Sequence, residues 1–185
     1  MYTRTPNPEP RIPSLLLCLI LCGLTGCFLF PKGSLDIPPA AKPQYDQGLA
    51  FYRQGRFAEA EATFQQVLSA DRRAVLARYW LGLSLTQQKK TARARDQFYQ
   101  IITLSPKLPH GYYGLGLVAL QGKHRRFDAL DWFREALKRD PTFVDAQWQL
   151  ALTRLALAQG LFGAFTVGDI RREFERVIKL DPNHP

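Results

Sequence analysis

The stretch YDQGLAFYRQGRFAEAEATFQQVLSAD, Tyr45 to Asp71, decides the fold because parts of it return twice further along the chain. Gly48 is followed by Gly82 and Gly116 at intervals of 34 and 34. Phe64 is followed by Phe98 and Phe133 at 34 and 35, and Ala60 by Ala94 and Ala129 at the same steps. Pro106 and Pro141 stand 35 apart, and Pro182 comes 41 later. Several residue types sharing one period mark a chain of stacked supersecondary units, each too small to bury its apolar face alone.

The pattern resembles the tetratricopeptide repeat, a helix-turn-helix unit of 34 residues, over about residues 41–185. In the first unit Gly48, Phe51, Tyr52, Gly55, Phe57, Ala60 and Phe64 occupy the family's positions. The second has Leu81, Gly82, Ala94, Phe98 and Pro106, and the third Tyr112, Leu115, Gly116, Ala129, Phe133, Ala136 and Pro141. The fourth is looser, with Leu150, Ala151, Phe174, Val177 and Pro182. Ile170 there replaces the usual alanine, and Arg72 replaces the proline of unit one. The resemblance implies an all-α, right-handed superhelical solenoid of about four units, near 41–74, 75–108, 109–143 and 144–185. Gly48, Gly82, Gly116 and Ala151 are expected to let each first helix approach the second, with Ala60, Ala94 and Ala129 facing them. Phe64, Phe98, Phe133 and Phe174 are expected to fill the space between neighbouring units. Pro106, Pro141 and Pro182 are expected each to end a helix.

Unit four is longer than the others. Ala151 and Phe174 lie 23 positions apart, against 16 for the matching pair in units one and two. The surplus falls near QGLFGAFTVGD, Gln159 to Asp169. It reads as a loop tucked onto the last helix pair or as an exposed loop for a partner. In the final helix Ile170, Phe174, Val177 and Ile178 are assigned to one apolar face, able to close the stack.

In this family the first helices line the inner surface, and the fifth residue of each unit points into it. The resemblance assigns that row to Tyr45, Tyr79, Tyr113 and Trp148. Four residues on come Leu49, Leu83, Leu117 and Leu152. Tyrosine and tryptophan suit a binding surface, being large and rigid with one polar edge; the bland alternative is that they only pack first helices together. Chaperone-binding members hold a peptide's terminal carboxylate with lysine and asparagine at these rows. Tyr45, Leu49, Tyr79 and Leu83 cannot do so, and an apolar or aromatic peptide segment is the expected ligand.

The 185 residues carry a net charge of +9, and 46% are apolar. That suits one domain with a real core. A basic edge is expected where Lys89, Lys90, Arg93 and Arg95 of unit two align with Lys123, Arg125 and Arg126 of unit three. It reads either as a solvated edge or as a site for anionic lipid, an acidic protein or an anionic polymer. Nucleic acid is not an expected partner for a secreted chain. Neither catalysis nor a cofactor or metal is expected. His110, His124 and His184 form no i, i+4 pair, no serine stands in a G-x-S-x-G context, and no phosphate-binding glycine motif occurs.

The three cysteines, Cys18, Cys22 and Cys27, all lie in the first 27 residues. Arg4 and Arg11 precede the apolar run Leu15 to Gly23, which has signal-peptide length. From Leu15 to Phe30 a helix would measure about 24 Å, short of the roughly 30 Å bilayer core. Leu24-Thr25-Gly26-Cys27 is similar to the lipobox of bacterial lipoproteins. That resemblance implies removal of residues 1–26, diacylglycerol on the Cys27 sulfur, and acylation of its new amine. Two or more acyl chains hold a protein firmly on a bilayer. Residues 27–41 would form the tether, and 42–185 the repeat domain. Phe28, standing where aspartate commonly signals inner-membrane retention, implies the periplasmic side of the outer membrane. The expected function is a membrane-anchored adaptor for a protein partner in pilus, outer-membrane or cell-wall assembly. The alternative is a basic module for an anionic glycan or lipid surface.

Overall fold

The computed structural model describes residues 37–122, 125–160 and 166–182. Among them the secondary structure is helical and no strand occurs. A 3-10 turn at Pro39–Ala41 leads into α1 (Lys42–Arg53), α2 (Phe57–Ala70), α3 (Val75–Gln87) and α4 (Thr91–Leu104). There follow α5 (Pro109–Leu120), α6 (Arg126–Arg139), α7 (Val144–Gly160) and α8 (Val167–Leu180). Each helix packs on the one before and the one after it, giving four hairpins stacked in chain order.

The period of the sequence is the period of the packing. Phe64, Phe98 and Phe133 are fully buried, and so are Ala60, Ala94 and Ala129. A Cβ placed on Gly48 would stand 2.8 Å from the Phe64 ring, one on Gly82 2.7 Å from Phe98, and one on Gly116 2.3 Å from Phe133. Any side chain there would displace a ring in a core packed at crystal-like density. Phe98 also fills the joint to the next unit, where a Cβ on Gly114 of α5 would overlap it at 2.2 Å.

The turns between units do not rest on proline alone. α4, α6 and α8 end at Leu104, Arg139 and Leu180, two residues ahead of Pro106, Pro141 and Pro182. In unit one α2 ends at Ala70 although Arg72 stands in the proline's place. There the Asp71 carboxylate accepts from the backbone N–H of Arg73 at 2.8 Å. Asp140 does the same for Thr142 at 2.9 Å. These aspartates close the turn locally, which relieves the proline of that duty.

Unit four departs from the others at both ends of its long connection. α7 runs 17 residues, against 12 or 13 for α1, α3 and α5. Part of the expected loop is therefore helix. At the other end Thr166 and Asp169 form a reciprocal capping box that starts α8. Residues 161–165, the middle of that segment, lie outside the described residues, as do residues 1–36 with Cys27, and Lys123 and His124.

The expected apolar face of α8 needs one correction. Ile170 and Val177 are buried, but Ile178 is 62% exposed. Glu173 is buried instead, in an ion pair with Arg154 of α7 and with Arg176 at 3.6 Å. The stripe is turned toward Glu173 because α7 offers a guanidinium there.

Candidate functional site

First helices touch one another directly across the joints between units one and two and between units two and three, while second helices have no comparable contact. A stack tighter on that side bends so that its first helices face inward. This inner face is built from α1, α3, α5 and α7.

Tyr45, Tyr79 and Tyr113 are buried on it, and Trp148 is half-buried. Each ring leans on the phenylalanine of its own unit. Tyr45 meets Phe64 at 5.9 Å between centroids, Tyr79 meets Phe98 at 6.3 Å, Tyr113 meets Phe133 at 5.8 Å and Trp148 meets Phe174 at 5.4 Å. Edge contacts of this kind add to the area buried. Burial raises the phenol pKa of Tyr45, Tyr79 and Tyr113, so all three stay neutral. Most of each tyrosine is thus committed to packing. Leu83 is buried too, whereas Leu49, Leu117 and Leu152 are half-buried and keep apolar surface on the inner face.

Sequence reasoning missed the row three residues before the tyrosines: Lys42, Leu76, His110 and Asp145, at the same spacing. His110 sits between rings of neighbouring units, 5.0 Å from Tyr79 and 5.3 Å from Phe143. Phe143 also meets Tyr113 at 5.2 Å. Burial lowers the His110 pKa, against the opposing pull of Asp140 and Asp145, and its Nδ1 is buried without a hydrogen-bond partner. In the first joint Tyr52 meets Trp80 at 5.1 Å. The same 34-residue arithmetic that found the tyrosines could have found His110.

The basic edge is partly spent inside the protein. Lys90 and Arg93 both converge on Glu61 of the preceding unit, at 2.8 Å and 2.7 Å. Gln88 donates to the same carboxylate at 2.9 Å and to the Phe57 carbonyl at 3.0 Å. Burial pushes the Glu61 pKa up, but the bonds from Lys90 and Gln88 and the charge of Arg93 bring it below its ordinary value. Arg125 pairs with Asp128 at 3.0 Å. Lys89 and Arg126 are exposed, Arg95 is half-buried, and Lys123 lies outside the described residues. Within the row expected as one positive strip, Lys90 and Arg93 clamp units one and two together through Glu61, and Arg125 is paired within its own unit. Lys89, Arg95 and Arg126 have no ion pair among the described residues.

Residues 45–109 match the family model described as tetratricopeptide repeat. The fold is a tetratricopeptide-repeat solenoid. Among solved structures, the thermophilic tetratricopeptide-repeat protein TTC0263 of Thermus thermophilus is similar with a TM-score of 0.66 at 17% identity, over 77% of this chain and 75% of that one. MamA of Desulfovibrio magneticus gives 0.57 at 20%, over 78% and 77%. The second tetratricopeptide-repeat domain of human RPAP3, in complex with the HSP70 peptide SGPTIEEVD, gives 0.53 at 20%, over 62% and 94%. No curated protein matches in sequence. At these identities the likeness establishes the fold alone.

Within the described part of this solenoid no group of three or more His, Cys, Asp or Glu side chains could hold a metal ion. No described helix is long and apolar enough to cross a membrane.

Proposed function

We propose that the chain is a lipid-anchored adaptor of a bacterial envelope that holds a protein partner against its inner, first-helix face. The observation that carries the binding half is the row Leu49, Leu117 and Leu152, left half-exposed above a rigid layer of buried rings. Apolar side chains on a pre-organised surface favour an apolar segment of a partner, helical or extended. That a repeat domain of this fold in human RPAP3 holds a peptide supports a peptide as the class of ligand. The terminal-carboxylate clamp of the chaperone-binding members has no counterpart in a row of leucines and tyrosines, so the chain end of a chaperone is not the ligand.

The anchoring half rests on Leu24-Thr25-Gly26-Cys27 after an apolar run. It leads to a tether facing the periplasm from the outer membrane, and to a role in assembling pili, outer-membrane proteins or the cell wall. A glycan or lipid site on the basic edge is the weaker reading, since Lys90, Arg93 and Arg125 already hold carboxylates.

Capture from detergent extracts with the full chain tests both halves. The wild type is expected to retain one protein that Leu117→Glu with Leu152→Glu loses. These side chains are half-exposed, so the double variant should keep its helical spectrum. Cys27→Ala is expected to leave the membrane fraction yet still bind the partner in solution. Equal capture by the double variant defeats the groove, and an unchanged membrane fraction for Cys27→Ala defeats the anchor.

A further inference from the structure

On the other side of the stack, where α4 and α6 flank α5, an open cavity of about 350 Å³ is lined by Arg95, Tyr99 and Trp132. Its floor is apolar, made by Leu115, Val118 and Ala119, which are almost wholly buried. Tyr99 is 46% exposed, and its ring meets Trp132 at 6.4 Å nearly edge-on. The cavity is bordered by two aromatic side chains, opens onto the edge of the core, and includes none of the tyrosine and leucine rows of the inner face.

Its charges decide what fits. Two carboxylates and a second guanidinium stand at the rim, but Asp128 holds Arg125 at 3.0 Å and Asp131 holds Arg134 at 2.9 Å. Arg95 alone among the lining charges has no hydrogen bond or ion pair within the described residues. Its stem is half-buried against the cavity, while its guanidinium, which is not among the buried unpartnered groups, still reaches water with all its donors. An anion can thus pair with it without breaking a contact inside the protein. The planar fork of arginine matches a carboxylate with two parallel bonds. Arg95 and Tyr99 stand four residues apart on α4, hence about 5–6 Å apart on one face of the helix. The matching ligand therefore presents an anion and a ring side by side.

We propose that this cavity is a second binding site, for the C-terminus of a partner chain that ends in an aromatic residue. Its terminal carboxylate pairs with Arg95, and its ring lies over the apolar floor against the Tyr99–Trp132 pair. A terminal residue carries carboxylate and side chain on one carbon, which an internal aspartate or glutamate does not offer beside a ring. This site is independent of the inner face, and its variants leave Leu49, Leu117 and Leu152 untouched.

The test is titration of the full chain with N-acetyl-Gly-Gly-Phe and its C-terminal amide, read by NMR at the Trp132 indole N–H, which the loss of a signal in Trp132→Phe identifies. The free acid is expected to shift the Trp132 signal in a saturable way and the amide to bind about tenfold or more weakly. Arg95→Gln is expected to lose the same factor, Arg95→Lys to lose part of it, and Lys107→Gln to lose nothing. Equal binding of acid and amide, indifference to Arg95→Gln, or no shift of Trp132 with millimolar acid would each overturn the proposal. So would N-acetyl-Asp-amide binding as well as the aromatic acid. The acid and amide are compared on the wild type, so the test stands even if a variant folds poorly.

Discussion

Phe98 and Phe174 hold the same place in the repeat and have different surroundings. Phe98 is fully enclosed, with Gly82 behind it, Gly114 ahead of it in the next unit, and Tyr79 against its edge. Phe174 is half-buried and rests on Trp148 of its own unit. An inner unit is covered from both sides; the last described one has a single neighbour and answers with polarity. Glu173 and Arg154 take up a buried position in unit four, while Val167 and Ile178 stay exposed on α8. The difference teaches that the repeat motif specifies contacts within a unit, while the value of each contact depends on what stacks on it.

Truncating both rings is the strongest way to break that comparison. Phe98→Ala removes a fully buried ring between two glycines that cannot fill the hole, and is expected to cost about 3–5 kcal/mol. Phe174→Ala opens a site already partly hydrated and should cost roughly half as much. The measurement is the urea midpoint of each variant by circular dichroism, compared at a common slope. Equal losses would mean that unit four is enclosed as tightly as the inner joint.

A smaller effect sharpens the comparison by pH. The inner joint contains His110, whose pKa is lowered by burial and whose Nδ1 has no acceptor or donor partner. The unfolded chain binds a proton at the ordinary histidine pKa of 6.5, while the folded chain resists it. Stability from this site is therefore complete above that value and is lost as the pH falls below it. Thermal unfolding from pH 7.5 to 5.5 is expected to show a falling midpoint that His110→Phe flattens. The carboxylates whose pKa values are lowered, Glu61 and Asp140 among them, lose their contribution only in more acid solution. A slope unchanged in His110→Phe would assign the effect elsewhere.

These contrasts also mark what the sequence could tell. Glycine, alanine and phenylalanine at one period were enough to read the hairpins, because a contact repeated in every unit leaves a repeated residue. Contacts made once leave no such mark. Glu61 lies 29 and 32 positions before Lys90 and Arg93, and nothing in their local spacing announces that the three meet. In α8, roughly 100° per residue puts Glu173 and Ile178 on opposite rims of the stripe centred near Ile170 and Val177. Which rim is covered depends on where α7 lies, so hydropathy favoured Ile178 and the Arg154 guanidinium favoured Glu173. The tyrosine row is legible at its period, but its exposure is set by phenylalanines 19 or 20 residues further on.

The turn within each hairpin supplies the smallest effect. In unit one Gly55 has a φ of 74°, and in unit two Lys89 takes the same left-handed conformation at 59°. Both close the preceding helix in the same way. Arg56 N–H reaches the Phe51 carbonyl at 2.9 Å, and Lys90 N–H reaches that of Leu85 at 2.9 Å. For a side chain with a Cβ this conformation costs about 1–2 kcal/mol, and glycine avoids that cost while losing more chain entropy on folding. The Lys89 side chain is exposed and has no hydrogen bond or ion pair among the described residues to set against the strain. Lys89→Gly is therefore expected to stabilise the protein by about 0.5–1 kcal/mol, a rise of a few degrees in a chain of this size. Gly55→Lys should lose a similar amount by the same reasoning. A midpoint that falls in Lys89→Gly would mean that the two turns are not equivalent, and that the backbone conformation alone does not govern the turn that joins α3 to α4.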